Sequence, residues 1–396
     1  MIRSSGSPAP HSTVCTVRVI CNASRTLQTE TSSTSNANTK GARTHSHTGR
    51  KFVSNMYQNL GNVYPTGNKL VCKSHKLFLF ASIMQQCHLG GFNLLPLGQR
   101  VYDKLVKIID HELEIIGCQK MSMTTLVPAK LWKKTERWND MGNELFRIKD
   151  RKHVAFCLGP THEEVITNLL ASGPTLPYRR LPMKMYQITR KFRDEDSPKY
   201  GFLRSREFEM KDLYTFDATL EDAAETYQSV CTAYTRILDK LEMDYDIVIG
   251  STGNIGGSMS HEFQIRADIG EDTIHVCKKF VMFTDPYCFF SFIKVGHSFL
   301  LGTKYSEPFN AKCVDKASKP SFYQMGCYGL GVSRIMQACV EVLSEANMIA
   351  WPRLIAPYQI CIIPMELQQY RQCDTGSSFN NTDSVTLDLA STIQTV

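Results

Sequence analysis

Guanidinium, carboxylate and aromatic groups crowd one stretch of the chain, YQITRKFRDEDSPKYGFLRSREFEMKDLYTF from Tyr186 to Phe216. Its first half reads as a strand ending in Arg193-Asp194-Glu195, followed by a loop bracketed by Pro198 and Gly201. A second strand is expected to carry Arg204, Arg206, Glu207 and Phe208. Guanidinium groups grip phosphate oxygens in fork geometry, and an aromatic face stacks on a ring. Such a hairpin can therefore hold a polyphosphate, a base and a carboxylate together. The same residues also describe an exposed hairpin with a solvated charged face, and the stretch alone leaves both readings open.

Two more constellations lie on either side. Val154 to Leu158 reads as a short apolar strand running into Gly159-Pro160-Thr161-His162-Glu163-Glu164, where a helix begins. Thr161 is placed to cap that helix, with Glu164 at the partner position of a capping box. Further on, Gly326-Cys327-Tyr328-Gly329-Leu330-Gly331-Val332-Ser333-Arg334 precedes a helix expected over 335–343. A dinucleotide fingerprint fails there, because a third glycine and a repeated βα pattern are missing. Gly302-Thr303-Lys304 lacks the glycine spacing of a P-loop. Arg334 at a helix start still favours an anion.

The elements that must position these groups are legible in part. Val101, Leu105, Ile108, Ile109 and Ile115 recur at a helical period within 97–116, and Gly117 reads as the stop. A strand is expected over 119–126, a helix over 218–241, and a Gly/Ser-rich turn over 253–260 leading into His261-Glu262-Phe263. At 396 residues, two or three domains are expected. Hydrophobic content is 42%, and no apolar run reaches membrane-spanning length, so a membrane partner is not expected. The net charge of +7 is compatible with a polyanionic partner. The 14 cysteines show no Cys-x-x-Cys pair, so neither a disulfide framework nor a metal site is expected, Cys277 and Cys288 included.

Arg193-Asp194-Glu195, the loop and Arg206-Glu207-Phe208 resemble motif 2 of the class II aminoacyl-tRNA synthetases, and KFRDE with GFLRSREFEMKD resembles the prolyl-tRNA synthetases of bacteria and mitochondria. The likeness runs from about Cys72 to about Pro364. The helix over 97–116 and the strand after it resemble motif 1, with Thr124 where the family usually has proline. LGPTHEEVIT resembles the Thr-x-Glu loop, Val295-Gly296-His297 and 301–306 resemble the strand of the pocket floor, and Gly326 to Arg334 resembles motif 3. Relatives tend to have an acid just before Val-Gly-His, where this chain has Lys294.

The resemblance implies an α+β fold, a class II catalytic domain with an antiparallel β-sheet flanked by helices. It implies activation of L-proline with ATP and Mg2+, then transfer to mitochondrial tRNA(Pro), by a homodimer in the mitochondrial matrix. The alternative is a non-catalytic paralogue that binds nucleic acid or acts in assembly. Arg193 and Arg334 are the implied catalytic residues. Thr161, Glu163, Arg193, Asp212, Tyr214 and Phe299, with Met210, are the implied proline site. For ATP the set is Arg193, Glu195, Arg204, Phe208, Thr303, Ser333 and Arg334.

Residues 1–50 are rich in Ser and Thr, carry six Arg or Lys and a single acid, Glu30, and read as a disordered mitochondrial transit peptide. Residues 51–357 are assigned to the catalytic domain. About 115 residues separate Asp212 from Cys327, too few for a full editing domain. Residues 358–396 are read as a truncated remnant of an anticodon-binding domain, with one strand over 359–363. Only 32 residues follow Pro364, an expectation of internal deletion or an incomplete gene.

Overall fold

The computed structural model describes residues 56–59, 71–277 and 287–360, with backbone alone at 15–17, 274–277 and 287–289. Its main sheet has eight strands: β1 (Gln119–Lys120), β2 (Met183–Phe192), β3 (Glu207–Asp217), β4 (Tyr245–Ile249), β5 (Met259–Arg266), β6 (Asp272–Cys277), β7 (Tyr287–Gly302) and β8 (Gln324–Gly331). They pair in the order β4-β5-β7-β8-β3-β2-β1, with β6 also on β7. Every pair is antiparallel except the short edge contact of β1 with β2. The flanking helices include α1 (Pro96–Ile115), α2 (Glu163–Ala171), α3 (Leu220–Lys240) and α4 (Val332–Leu343).

Local chemistry explains most boundaries. Pro96 opens α1, where its missing N–H costs no hydrogen bond, and Gly117 ends it at φ +75°. Val101, Leu105, Ile109 and Leu113 form the buried stripe between. The Thr219 hydroxyl caps α3 by accepting from the Asp222 N–H at 3.1 Å. The strand expected over 119–126 is shorter than its alternation implied. It stops at Lys120, and a separate strand at Leu126–Pro128 joins Arg147–Lys149 and Ala155–Leu158 in a small second sheet.

Apolar side chains cover both faces of the main sheet. One buried cluster joins α1, α3 and α4 to Leu213, Tyr328 and Leu330 of the sheet. The other joins Tyr214, Phe216, Phe299 and Cys327 to Trp132, Ile166 and Tyr305. Each fully buried large apolar side chain contributes about 1.5–3 kcal/mol, so the sheet is fixed from both sides.

The loop between β2 and β3 departs from expectation. β3 begins at Glu207, so Arg204 and Arg206 belong to the loop. The Arg206 N–H leaves the ladder and donates to the Gly90 carbonyl at 2.8 Å. Within the loop, Tyr200 and Gly201 turn the chain at φ +62° and +67°. The Gln337 amide of α4 holds that turn, donating to the Tyr200 carbonyl at 2.7 Å and accepting from the Phe202 N–H at 2.6 Å. Of residues 1–50, Cys15–Val17 pairs antiparallel with Ile349–Trp351. The rest of the expected transit peptide lies outside the described residues. So does most of the expected 359–363 strand, whose described residues Gln359 and Ile360 are not in a strand. Contacts divide the chain after Pro357.

Truncating Gln337 leaves the buried Phe202 N–H and the part-buried Tyr200 carbonyl without this partner, at about 1–3 kcal/mol for a fully buried group. Gln337→Ala is expected to lower unfolding free energy by about 2–4 kcal/mol, read from urea denaturation.

Candidate active site

A cavity of about 240 Å³ lies on the face of the sheet where β3, β8 and β7 run side by side. Register builds it. Along β3 side chains alternate between faces, and Phe208, Met210, Asp212 and Tyr214 all line the cavity. Pairing sets Asp212 opposite Gly329, and Gly329 opposite His297; the next row is Tyr214, Cys327 and Phe299. A Cβ on Gly329 would find nothing nearer than the Met210 sulfur at 3.7 Å. Its missing side chain is therefore part of the open space.

An irregularity in the β5–β7 pairing changes what β7 presents. Gln264 pairs with Lys294 and Phe263 with Gly296, leaving Val295 as the extra residue. Cross-strand partners share a face, and Glu262 and Gln264 are two apart, so their partners His297 and Lys294 point the same way. Lys294 thereby reaches the cavity and pairs with Glu262 at 2.9 Å and Asp272 at 3.8 Å. His297 stacks on Phe299 with centroids 3.9 Å apart. Burial pushes the His297 pKa down to about 4, leaving a neutral ring.

Thr161 and Glu163 reach the cavity from the start of α2, but not as a capping box. The N-cap residue is His162, without a side-chain cap bond. The Thr161 hydroxyl donates instead to Glu163 Oε1 at 2.7 Å. Glu164 turns to Arg137 Nη1 at 3.0 Å and Thr135 Oγ1 at 2.8 Å. A charge-assisted bond to a buried guanidinium is stronger than a bond to a helix N–H, so the ion pair displaces the cap. Beside them the Tyr214 hydroxyl accepts from the His162 N–H at 2.8 Å and donates to Asp212 at 2.9 Å. Asp212 also pairs with buried Lys191 at 2.6 Å and accepts from Gln187 at 2.9 Å.

The cations are the other half of the site. Arg193 and Arg334 both line the cavity, and neither has a carboxylate within ion-pair distance among the described residues. Arg193 lies over the Phe208 ring at 5.4 Å, and its Nε has no hydrogen-bond partner. Arg334 stands in the first turn of α4 and donates to the Lys294 carbonyl at 3.0 Å. Desolvation, followed by repulsion from Arg193, holds the Arg334 pKa down to about 10. Desolvation also lowers Arg193. Two desolvated cations side by side suit a polyanion.

The structure thus brings together Thr161, Glu163, Arg193, Phe208, Met210, Asp212, Tyr214, Phe299 and Arg334. Four sequence-predicted residues stand outside that lining. Glu195 and Arg204 pair with each other at 2.6 Å, and Arg204 also meets Glu271 at 3.0 Å. The Thr303 hydroxyl donates to Glu307 at 2.7 Å, and Ser333 Oγ accepts from the Glu209 N–H at 3.3 Å. Sequence reasoning missed Arg137 and Ile255, and noted Lys294 only as a departure. No spacing rule links Arg137 to Glu163.

Among the described residues no group of three or more His, Cys, Asp and Glu side chains is placed to hold a metal. Inorganic triphosphate is expected to bind the arginine pair. At about 100 times its Kd it should add about 2.7 kcal/mol of stability, read as a rise in Tm that Arg334→Met removes.

Comparison with known proteins shows the family and the fold. Residues 146–343 match the tRNA synthetase class II core domain (G, H, P, S and T). The probable mitochondrial proline--tRNA ligase of Rattus norvegicus is 47% identical over 319 residues, covering 74% of this chain and 66% of the relative. This chain therefore spans just under two thirds of that protein's length. The proline--tRNA ligase of Rhizobium johnstonii is 38% identical over 335 residues, covering 74% of this chain and 76% of the relative. In fold, the chain is similar to a prolyl-tRNA synthetase from Cryptosporidium parvum solved with halofuginone and AMPPNP, at TM-score 0.61 and 18% identity over 72% of this chain and 56% of that one. It is likewise similar to the Giardia lamblia enzyme in complex with prolyl-adenylate, at TM-score 0.60 and 18% identity over 70% and 52%. On its motifs, its sheet and these relatives, the chain belongs to the class II aminoacyl-tRNA synthetases, in the prolyl-tRNA synthetase family.

Proposed function

We propose that the chain activates L-proline with ATP, supplied as its magnesium complex, and transfers the prolyl group to mitochondrial tRNA(Pro). A proline carboxylate oxygen attacks the α-phosphorus, the new P–O bond forms, and the bond to pyrophosphate breaks in line. No protein nucleophile is needed, so catalysis rests on placement and charge neutralisation. The observation that carries the reading is the shared cavity: two arginines without carboxylate partners beside a buried Thr–Glu pair.

In this scheme Arg193 bridges the substrate carboxylate and the α-phosphate, and Arg334 holds the outer phosphates. Phe208 trades its contact with Arg193 for the adenine ring. Thr161 and Glu163 receive the proline ammonium. Phe299 and Met210 supply apolar wall for the ring methylenes, while Tyr214 and Asp212 brace Thr161 and the backbone of His162. Glu195 and Arg204 join the nucleotide by opening their loop ion pair, and Arg204 leaves Glu271 to do so. Thr303 and Ser333 act through Glu307 and the Glu209 backbone.

We also propose that the protein acts in the mitochondrial matrix, as a homodimer, with residues 1–50 as its transit peptide and 51–357 as its catalytic domain. Names of mitochondrial relatives support the compartment. The names of the relatives favour this reading over the non-catalytic alternative.

Removing a preorganised charge contact of this kind costs about 10²–10³ in rate. Arg193→Ala is therefore expected to lose proline-dependent ATP–pyrophosphate exchange by at least that factor. Near-normal exchange by the variant refutes the role of Arg193, and a wild-type protein that exchanges with another amino acid but not proline refutes the substrate.

A further inference from the structure

Behind Glu163 lies a charge cluster that the activation scheme does not use. Arg137, 2% exposed, sends one nitrogen, Nη1, to Glu163 Oε2 at 3.0 Å and to Glu164 Oε1 at 3.0 Å. Its guanidinium is packed over Trp132 at 4.7 Å and Tyr305 at 5.5 Å. Glu163 and Glu164 are 1% and 0% exposed, adjacent on α2, with Glu164 turned away from the cavity and Glu163 lining it. Two carboxylates thus share a single guanidinium.

We propose that Arg137 is a positioning residue for amine recognition: with Glu164 it fixes Glu163 so that this carboxylate faces the cavity and receives a cationic amine. This rests on the proline-activation reading. The Thr161 hydroxyl and Arg137 each take one oxygen of Glu163, which fixes the carboxylate plane and leaves its remaining lone pairs for the two N–H groups of a secondary ammonium. A carboxylic acid lacking the ammonium would leave Glu163 desolvated without a cation to answer it.

The surroundings set the sign of a pH test. Lys304 and Tyr305, which follow β7, face the acids, as do Cys327 on β8 and Tyr214 on β3. Arg193 and His162 act on Glu163 from the cavity side, and Cys157 on Glu164 from the small sheet. Burial raises Glu164, and Arg137 is the principal group opposing that rise. Without Arg137 two adjacent buried carboxyls cannot both stay ionised at neutral pH. A proton then occupies the pair until the pH is raised.

The test uses ATP–pyrophosphate exchange by the full chain. Arg137→Met is expected to raise the KM for proline about 100-fold, the scale of truncating one partner of a buried charge pair, with the KM for ATP changed by less than about threefold. That proline KM should fall as pH rises from about 6.5 to about 8.5, whereas the wild type stays flat. Adding Glu164→Gln removes the surplus carboxylate and should recover about tenfold in proline KM and flatten the profile. If Arg137→Met is insoluble, the double variant and Arg137→Lys carry the measurement. An unchanged proline KM, equal losses for both substrates, or no rescue by Glu164→Gln overturns the proposal. An inactive wild-type chain instead overturns the proline-activation reading, and this inference with it.

Discussion

Antiparallel pairing of β2, β3, β8 and β7 forces residues from distant parts of the chain into rows across one face. Asp212, Gly329 and His297 share one such row, and Tyr214, Cys327 and Phe299 the next. A slip of one residue would turn each set into the opposite core. That slip is prevented on both sides: Leu213, Tyr328 and Leu330 are committed to one buried cluster, Tyr214, Phe216 and Phe299 to the other. The strand-borne part of the site is thus a by-product of core packing, with Thr161 and Arg193 standing just outside the regular elements.

Within that frame the site separates its charges by their partners. Arg193 and Arg334 are held by a ring face, a backbone carbonyl and the fold around them rather than by carboxylates. The carboxylates of the same cavity are already engaged, Glu163 by Arg137 and Thr161, Asp212 by Lys191, Gln187 and Tyr214. Had Glu163 or Asp212 paired with Arg193, the site would be neutral and closed to a triphosphate. Lys191 and Arg137 prevent this by answering those acids from behind. Both therefore shape the charge of the cavity without lining it themselves.

Much of the fold was readable. The 3.6-residue stripe of α1, its glycine stop and the long α3 followed from periodicity, because a helix needs a continuous apolar face whatever it packs on. The strand after α1 was overextended, since alternation records exposure but not whether a partner strand continues. Motif likeness pointed to Thr161, Glu163, Arg193, Asp212, Tyr214, Phe299, Phe208 and Arg334, and these residues line one cavity. Glu195 and Arg204 were read as ligand groups, yet they pair with each other in the loop. A sequence shows available charges, not which of them neutralise one another.

The sequence by itself determined residue types in order: arginines beside acids, glycines before Arg334, a Thr-x-Glu loop, and periodic apolar faces that specify helices and strands. Tertiary structure decided which groups meet. An extra residue at Val295 swings Lys294 onto the cavity face, contrary to its spacing from His297. Arg137 meets Glu163 and Glu164 across 26 and 27 positions, and the pairing cancels the capping box that local pattern had implied. The reason is one of range. Backbone preference is fixed by neighbours along the chain, whereas a buried charge is governed by whatever desolvated partner the packing brings within about 3 Å, where electrostatics far outweigh local propensity.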